Sequence, residues 1–429
     1  YGIVLPNLKK HASGWPSEEA LLAKIAGGQI GFGMLGVGKG RSTAGSEMII
    51  QAVDKDDPRP VWVAINAGSN TLAQALWDVR DRRSPAEVRK FVKKIRVYDD
   101  SGQDNAGAWM AHEFPELFYI RSRSQVFGLF GPGFLTGPQP WAPMSQNAWV
   151  ETNVRTRHGI LGALYPQRLW SPPPWNDHAT RTDDDSKLRI AHAFMEGGGT
   201  CTWIGLVNKG LFVPEEISWG GWGGRFSWEK EQVPAGQQGV HPLEKDYEPY
   251  LMYPQAADDS YTYGDPNQPL HSFSGVDETV SYYARDFAPL WRWRKAYAND
   301  FKARMDWCVA ETDQANHNPV AVFMGDENRT VCRVNAQPGE RFELDASGSY
   351  DPDGDPLTYK WSVYPEAGTY PGQVPLEKVA EPVAAVTVPD DAGGKQIHVV
   401  LEVTDQSEIA PLTAYRRIVI DCKPARIRR

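Results

Sequence analysis

Apolar and polar positions follow two different rhythms along the chain. Early on, short continuous apolar runs alternate with stretches of helical period. "RPVWVAIN", residues 59–66, is an apolar run set off by Pro58 and Pro60; "AGSN" turns the chain, and "TLAQALWDVRDR" then places Leu72, Leu76 and Val79 on one helical face. This spells strand, turn and helix. A second helix is announced by Ser84 as N-cap, Pro85 at the first helical position and Glu87 three residues after the cap. "KKIRVYDD" returns as a strand ending in Asp99 and Asp100, "AGAWMAHEF" reads as a helix and "ELFYIRS" as the next strand. Repeated strand and helix predict an α/β unit with a parallel sheet covered on both faces, whose ligands sit beyond the carboxyl ends of the strands. Asn66 to Asn70 and Asp99 to Asn105 fall at such ends.

Residues 165–275 are irregular, with "SPPPW", the acidic run at 183–185, a helix expected over 186–196, and the loop "SWGGWGGRFSW" at 218–228. A long helix is expected from Pro289 to about Val309, where Leu290, Trp293, Tyr297, Phe301, Met305 and Cys308 recur at near-helical spacing and read as core. After "NHNP", residues 316–319, the period drops to two. "LTYKWSV" sets Leu357, Tyr359, Trp361 and Val363 on one face, and "QIHVVLEVTD" does the same with Ile397, Val399, Leu401 and Val403. With "VAAVTVP" and "YRRIVID" as further strands, the last 110 or so residues describe an antiparallel β-sandwich. The expected division is residues 1–312 and 313–429.

Composition narrows the function classes. With 45 basic and 54 acidic residues the net charge is −9, which offers no broad positive field and argues against nucleic acid as a partner. No apolar run approaches the length of a membrane span. Four cysteines, none in a CxxC pair, make no disulfide scaffold, and pairing among Cys308, Cys332 and Cys422 is left open. Tryptophan occurs 16 times, about as often as Phe or Tyr, and flat rings that stack on sugars are one use for that excess. The first residue is Tyr1, so a processed or truncated product is expected, with any signal peptide upstream.

Four stretches carry candidate chemistry. "GFGMLG", residues 31–36, matches a dinucleotide fingerprint in letters only, because no apolar strand precedes it. "DASGSYDPDGDP" alternates Asp351, Asp353 and Asp355, which reads as a polar turn more readily than a calcium loop, since the spacing and final Glu of an EF-hand are missing. In "YDDSGQDNAG" Asp99, Asp100, Asp104 and Asn105 follow a buried strand, a place to hold a metal or bind sugar hydroxyls, or simply to cap the next helix. The Trp-Gly loop offers Trp219, Trp222 and Arg225 as a ligand-stacking wall or as a plug between domains. HExxH and GxSxG motifs are absent, so zincin and serine-hydrolase mechanisms lack their parts.

Taken together and in order, "VWVAINAGSNTLAQAL", "RVYDDSGQDN", "ELFYIRS", "WGGWGGRF" and "LDASGSYDPDGDPLTYKWSV" resemble the bacterial proteins that join a nucleoside-hydrolase-like domain to a C-terminal domain described as cellulose-binding. The last stretch is also similar to polycystic-kidney-disease and cadherin-like sandwiches. The resemblance implies a Rossmann-like fold and, in the intact protein, one calcium ion that activates water against a glycosyl or N-glycosyl bond. It implies carbohydrate or nucleoside-like ligands and a periplasmic or secreted location. By the same resemblance the carbonyl of Asn66 is expected at the metal, and the strand-end position adds Asp99 and Asp100 as candidate metal ligands. Asn66, Asn70, Asp104, Asn105 and Glu113, with Trp219, Trp222 and Arg225, are expected around the substrate. Two departures stand against catalysis: the strand unit that carries the aspartate cluster in such hydrolases is not seen, and Gly199 stands where relatives usually have an Asp. The alternative expectation is a non-catalytic cellulose- or plant-polysaccharide-binding protein with a degenerate hydrolase site.

Overall fold

The apolar run after Pro60 becomes strand β1 (Val61–Ile65), which pairs in parallel with β2 (Ile95–Asp100), and β2 in turn with β3 (Phe118–Ser122). The computed structural model describes residues 1–100, 102–122, 147–165, 169–170, 190–191, 198–211, 213–232, 241–256, 258–259, 288–290 and 292–424. The helix expected over 186–196 and the acidic run at 183–185 lie outside the described residues. Two-residue strands β4 (Leu169–Trp170) and β5 (Ile190–Ala191) form an antiparallel ribbon, and β6 (Tyr253–Pro254) extends the parallel sheet in the order β1-β2-β3-β6.

Helices α1 (Leu5–His11) and α2 (Glu18–Leu22) precede the sheet, and α3 (Ala44–Asp54) begins at a capping box made by Thr43 and Ser46. Helix α4 (Asn70–Arg82) follows β1, α5 (Pro85–Lys93) starts at the reciprocal Ser84–Glu87 box with Pro85 inside it, and α6 (Ala106–Glu113) links β2 to β3. Leu72, Leu76 and Val79 are buried against Ile95, Val97 and Tyr119, giving one face of the sheet its core.

The C-terminal region holds two sheets. β8 (Arg341–Asp345), β10 (Leu376–Glu377) and β11 (Val383–Thr387) form one in the order β10-β11-β8. β7 (Cys332–Ala336), β9 (Leu357–Val363), β12 (Gln396–Asp405) and β13 (Thr413–Cys422) form the other, in the order β7-β13-β12-β9. Every pairing is antiparallel except β13 with β7, so the second sheet is mixed. β7 enters from a long connection rather than a hairpin, and nothing obliges it to run against its neighbour. Leu344, Val386, Trp361, Val399, Leu401, Ile418 and Ile420 share one core between the two sheets.

The alternating pattern marks only the inner face of β12 and β13. Their outer face, with His398, Val400, Tyr415, Arg417 and Val419, is buried as well. The residues covering it come from the N-terminal region: Val400, Tyr415 and Val419 share one cluster with Trp219, Trp222, Leu290, Trp293 and Tyr297, and with Tyr98 and Ile120 from the second face of the parallel sheet. The long helix spans Arg294–Trp307, and its apolar stripe is core as expected, with Leu290, Trp293, Tyr297, Met305 and Cys308 buried. The four cysteines are unpaired.

Candidate functional site

At the end of β2, Asp99 and Asp100 leave the strand on opposite faces, as successive strand residues must. Asp99 pairs in register with Arg121 of β3. Its Oδ2 accepts hydrogen bonds from Tyr119 Oη at 2.8 Å, Arg121 Nε at 3.0 Å and Arg121 Nη2 at 2.8 Å. On the far side of the guanidinium, Arg121 Nη1 donates to both oxygens of Glu244 at 2.7 and 2.8 Å, and Tyr250 Oη donates to Glu244 at 2.5 Å. All five side chains are buried. Burial opposes the charge on Arg121, but Asp99 and Glu244 outweigh it and hold the guanidinium well above its ordinary value. Burial also lifts the Glu244 carboxyl, against the pull of Arg121. The cluster is an ion-pair lock that ties the helical turn Pro242–Tyr247 over the strand ends.

The turn after β2 is equally committed. Asp104 accepts from the backbone N–H and hydroxyl of Ser69 at 2.9 and 2.6 Å and from the N–H of Ala106 at 2.9 Å, binding the start of α4 to the start of α6. Asn105 Oδ1 accepts the N–H of Met34 at 3.0 Å, and Asn70 Nδ2 donates to the carbonyl of Gly31 at 2.6 Å. Both amides therefore fasten the glycine-rich "GFGMLG" segment over the strand ends. That segment forms a single tight turn, Gly33–Gly36, and Gly33 has φ +47°, where a Cβ would meet Asn105 Oδ1 at 2.2 Å. Of the two uses open to Asp104 and Asn105, the geometry realises the structural one.

Asn66 is exposed at the end of β1. Its carbonyl accepts from Gln103 Nε2 at 3.1 Å, and its Oδ1 accepts from Thr202 Oγ1 at 2.7 Å. Gly199 lies against it: a Cβ at position 199 would stand 2.4 Å from Asn66 Cγ. An aspartate there requires Asn66 to move. Glu113 falls elsewhere, since α6 runs from the strand ends at Ala106 to its far end at Glu113, about 10 Å along the axis at 1.5 Å per residue. It pairs there with Arg80 at 2.7 Å on the surface, which corrects its expected place at the substrate.

The Trp-Gly loop also corrects an expectation. Trp219 and Trp222 are 6% and 4% exposed. Trp219 stands edge to face with His398 of β12, ring centres 4.7 Å apart, and Trp222 donates from its indole nitrogen to Tyr415 Oη of β13 at 3.3 Å. Gly220, at φ +73°, brings its carbonyl to Arg417 Nη2 at 2.9 Å, where a Cβ would strike Tyr364 Oη at 2.6 Å. Arg225 is buried and engages Asp258, Asp259 at 2.6 Å and the carbonyl of Glu366 at 3.3 Å. The outer face of the C-terminal sheet occupies both indoles, and the two aspartates with the Glu366 carbonyl occupy Arg225. Each buried indole, at about 200 Å², stabilises the seam by roughly 5 kcal/mol at most.

The donors gathered at the strand ends do not fit a calcium ion. Asp99 faces a buried guanidinium whose charge repels a second cation, Asp100 leaves the opposite side of the strand, and Asn66 has both its oxygens engaged. Among the described residues no group of three or more His, Cys, Asp or Glu side chains is placed to hold a metal. In the C-terminal turn, Asp351 Oδ1 accepts from the N–H groups of Asp353 and Asp355 at 2.9 and 3.2 Å, the polar turn expected of that motif.

Residues 1–226 match the family described as "Cellulose-binding Sde182, nucleoside hydrolase-like domain", and residues 341–422 match "Cellulose-binding protein Sde0182, C-terminal domain". Among solved structures, a nucleoside hydrolase-related hypothetical protein from Saccharophagus degradans, described as associated with carbohydrate metabolism, is 37% identical to this chain. The likeness covers 99% of this chain and 86% of that one, with a TM-score of 0.77. No curated protein matches.

Proposed function

The chain belongs to the family of cellulose-binding proteins with a nucleoside-hydrolase-like domain, and from that premise we propose that it binds plant polysaccharide outside the cytoplasm, with the hydrolase-like fold serving as scaffold. One observation carries this reading. The strand-end groups expected at metal and substrate are engaged in holding the fold: Asp99 through Oδ2 on Arg121, Asp104 on Ser69 and Ala106, Asn105 on Met34 and Asn70 on Gly31. Freeing Asp99 or Asp104 for a ligand leaves a buried donor unsatisfied, at about 1–3 kcal/mol each, and freeing Asn70 or Asn105 releases the glycine-rich turn they hold. The location follows from the ligand, because insoluble cellulose does not enter cells. No helix among the described residues is long and apolar enough to cross a membrane.

The test is retention on microcrystalline cellulose, with calcium or with chelator, alongside a product assay on nucleosides and cello-oligosaccharides. Retention that is indifferent to calcium, without released product, is expected. Calcium-dependent release of a base or sugar would overturn the scaffold reading and restore the hydrolase one.

A further inference from the structure

Three tryptophans share the loop 218–228, and the third behaves unlike the first two. Trp228 is 44% exposed. Its ring stands edge to face with Phe118 and Tyr253, centres 6.0 and 5.5 Å away, while Phe118 also meets Trp62 at 5.9 Å and Tyr253 at 5.3 Å. The row is set by register: Trp62 of β1 is the partner of Arg96 of β2, and Arg96 that of Phe118 of β3. Side chains at partnered positions leave the sheet on one face about 4.8 Å apart, so the three form a band across the strands, continued by Tyr253 of β6. Trp62, Arg96 and Phe118 stand at or next to the first residues of their strands. The band therefore lies at the end of the sheet opposite to Asn66, Asp100 and Asp104.

We propose that this band, capped by Trp228 and bordered by Glu215, is a glycan-binding site for a neutral glucan chain, carried by the N-terminal domain; the proposal rests on the polysaccharide-binding reading above. Pyranose rings present apolar C–H faces and a rim of hydroxyls, and they suit an exposed indole such as Trp228, backed by the half-buried Trp62, Phe118 and Tyr253 and flanked by fixed polar groups. Arg96 supplies such a group. Its guanidinium lies 4.9 Å from the centre of the Phe118 ring, is held by the carbonyls of Lys93 and Ile95, and donates from Nε to Glu215 at 3.1 Å. Glu215 keeps half of its side chain in solvent. The guanidinium fixes the half-exposed carboxylate as an acceptor for hydroxyls, and the two charges cancel, which favours a neutral polymer over an anionic one. Lys230 lies over the Tyr253 ring, 4.9 Å from its centre, and donates to the carbonyls of Pro115 and Leu117 at 2.7 and 3.2 Å, so that ring backs the band and Trp228 carries the open face. The domain called cellulose-binding does not offer the outer face of β12 and β13 instead, because Trp219 and Trp222 cover it.

Adsorption of the full chain to cellulose and titration with cellohexaose test the site, using Trp228→Ala, Glu215→Gln and Tyr350→Ala. Tyr350 is an exposed aromatic residue of the C-terminal region, 46% exposed, and serves as the contrast. Trp228→Ala is expected to weaken binding about tenfold, as loss of one aromatic contact worth about 1.4 kcal/mol would. Glu215→Gln, which leaves the half-exposed position filled and the fold untouched, is expected to weaken it about threefold. Tyr350→Ala is expected to bind like the unaltered chain. Full binding by both Trp228→Ala and Glu215→Gln, or weakening confined to Tyr350→Ala, overturns the site while leaving polysaccharide binding intact. Failure of the unaltered chain to hold any polysaccharide overturns both readings together.

Discussion

Arg121 at the strand ends and Arg417 at the seam between the two regions are both fully buried, yet their surroundings treat them in opposite ways. Arg121 lies between two carboxylates, Asp99 and Glu244, and stays well above its ordinary pKa. Arg417 donates to the carbonyls of Leu211 at 2.8 Å and Gly220 at 2.9 Å and to His398 at 3.2 Å. Burial, opposed by Tyr364 and aided by the nearby Arg292, pushes it down to about 10. The strand-end lock is a closed ionic circuit built within the N-terminal region. Around Arg417 the seam offers neutral acceptors, the C-terminal region supplying the cation and the N-terminal region two backbone carbonyls. Carboxylates in a cleft invite a catalytic reading and tryptophans on a glycine loop a ligand reading; here both groups hold the structure together.

The same substitution at the two arginines breaks the comparison most directly. Arg121→Met strands two buried carboxylates without a counter-charge and is expected to cost about 4 kcal/mol, visible as a large drop in the urea midpoint. Trp222→Ala, which removes the indole between Tyr297 and Tyr415, is expected to cost about 3 kcal/mol and to split one cooperative unfolding transition into two as the seam loosens. Arg417→Met leaves two carbonyls unsatisfied but no charge, so about 2 kcal/mol is expected; a loss equal to that of Arg121→Met would show the two environments to be energetically alike.

Counted per pH unit, the smallest effect is that of protonation at the seam. Burial, with Arg417 and Arg333 beside it, pushes His398 down to about 3. An unfolded histidine takes its proton near pH 6.5, so the folded state is undisturbed above that value and loses stability as pH falls from 6.5 towards 3. The slope contributed is about 1.4 kcal/mol per pH unit. Asp405, lifted by burial to about 6, has the opposite sign and gains stability as pH falls from 6 towards 3.8. It is common to both proteins when the unaltered chain is compared with His398→Gln, so the difference between their acid melting curves isolates the histidine. Parallel curves would place His398 outside the seam's energetics.

Much of the fold was legible because its signals are local. The Ser84–Glu87 box, the apolar run 61–65 and the stripe of Leu72, Leu76 and Val79 each state their element within a few residues. The inner faces of β9 and β12 were legible for the same reason: period two marks one buried side. The outer face was not, since His398 and Arg417 read as solvent positions and are buried only because another region lies on them. The register that lines up Trp62, Arg96 and Phe118 was hidden too, each belonging to a separate strand motif.

By itself the sequence determined where strands and helices begin, that a parallel α/β unit precedes paired sheets, and which family the motifs resemble. Tertiary structure alone decided which tryptophans of one loop are buried, that Asp99 serves Arg121, and that Glu113 stands at the far end of its helix from the site. The reason is range: caps, periods and turns act over a few residues, whereas burial and charge pairing are settled by partners more than 20 residues away for Asp99 and Arg121, and nearly 200 away for Trp222 and Tyr415.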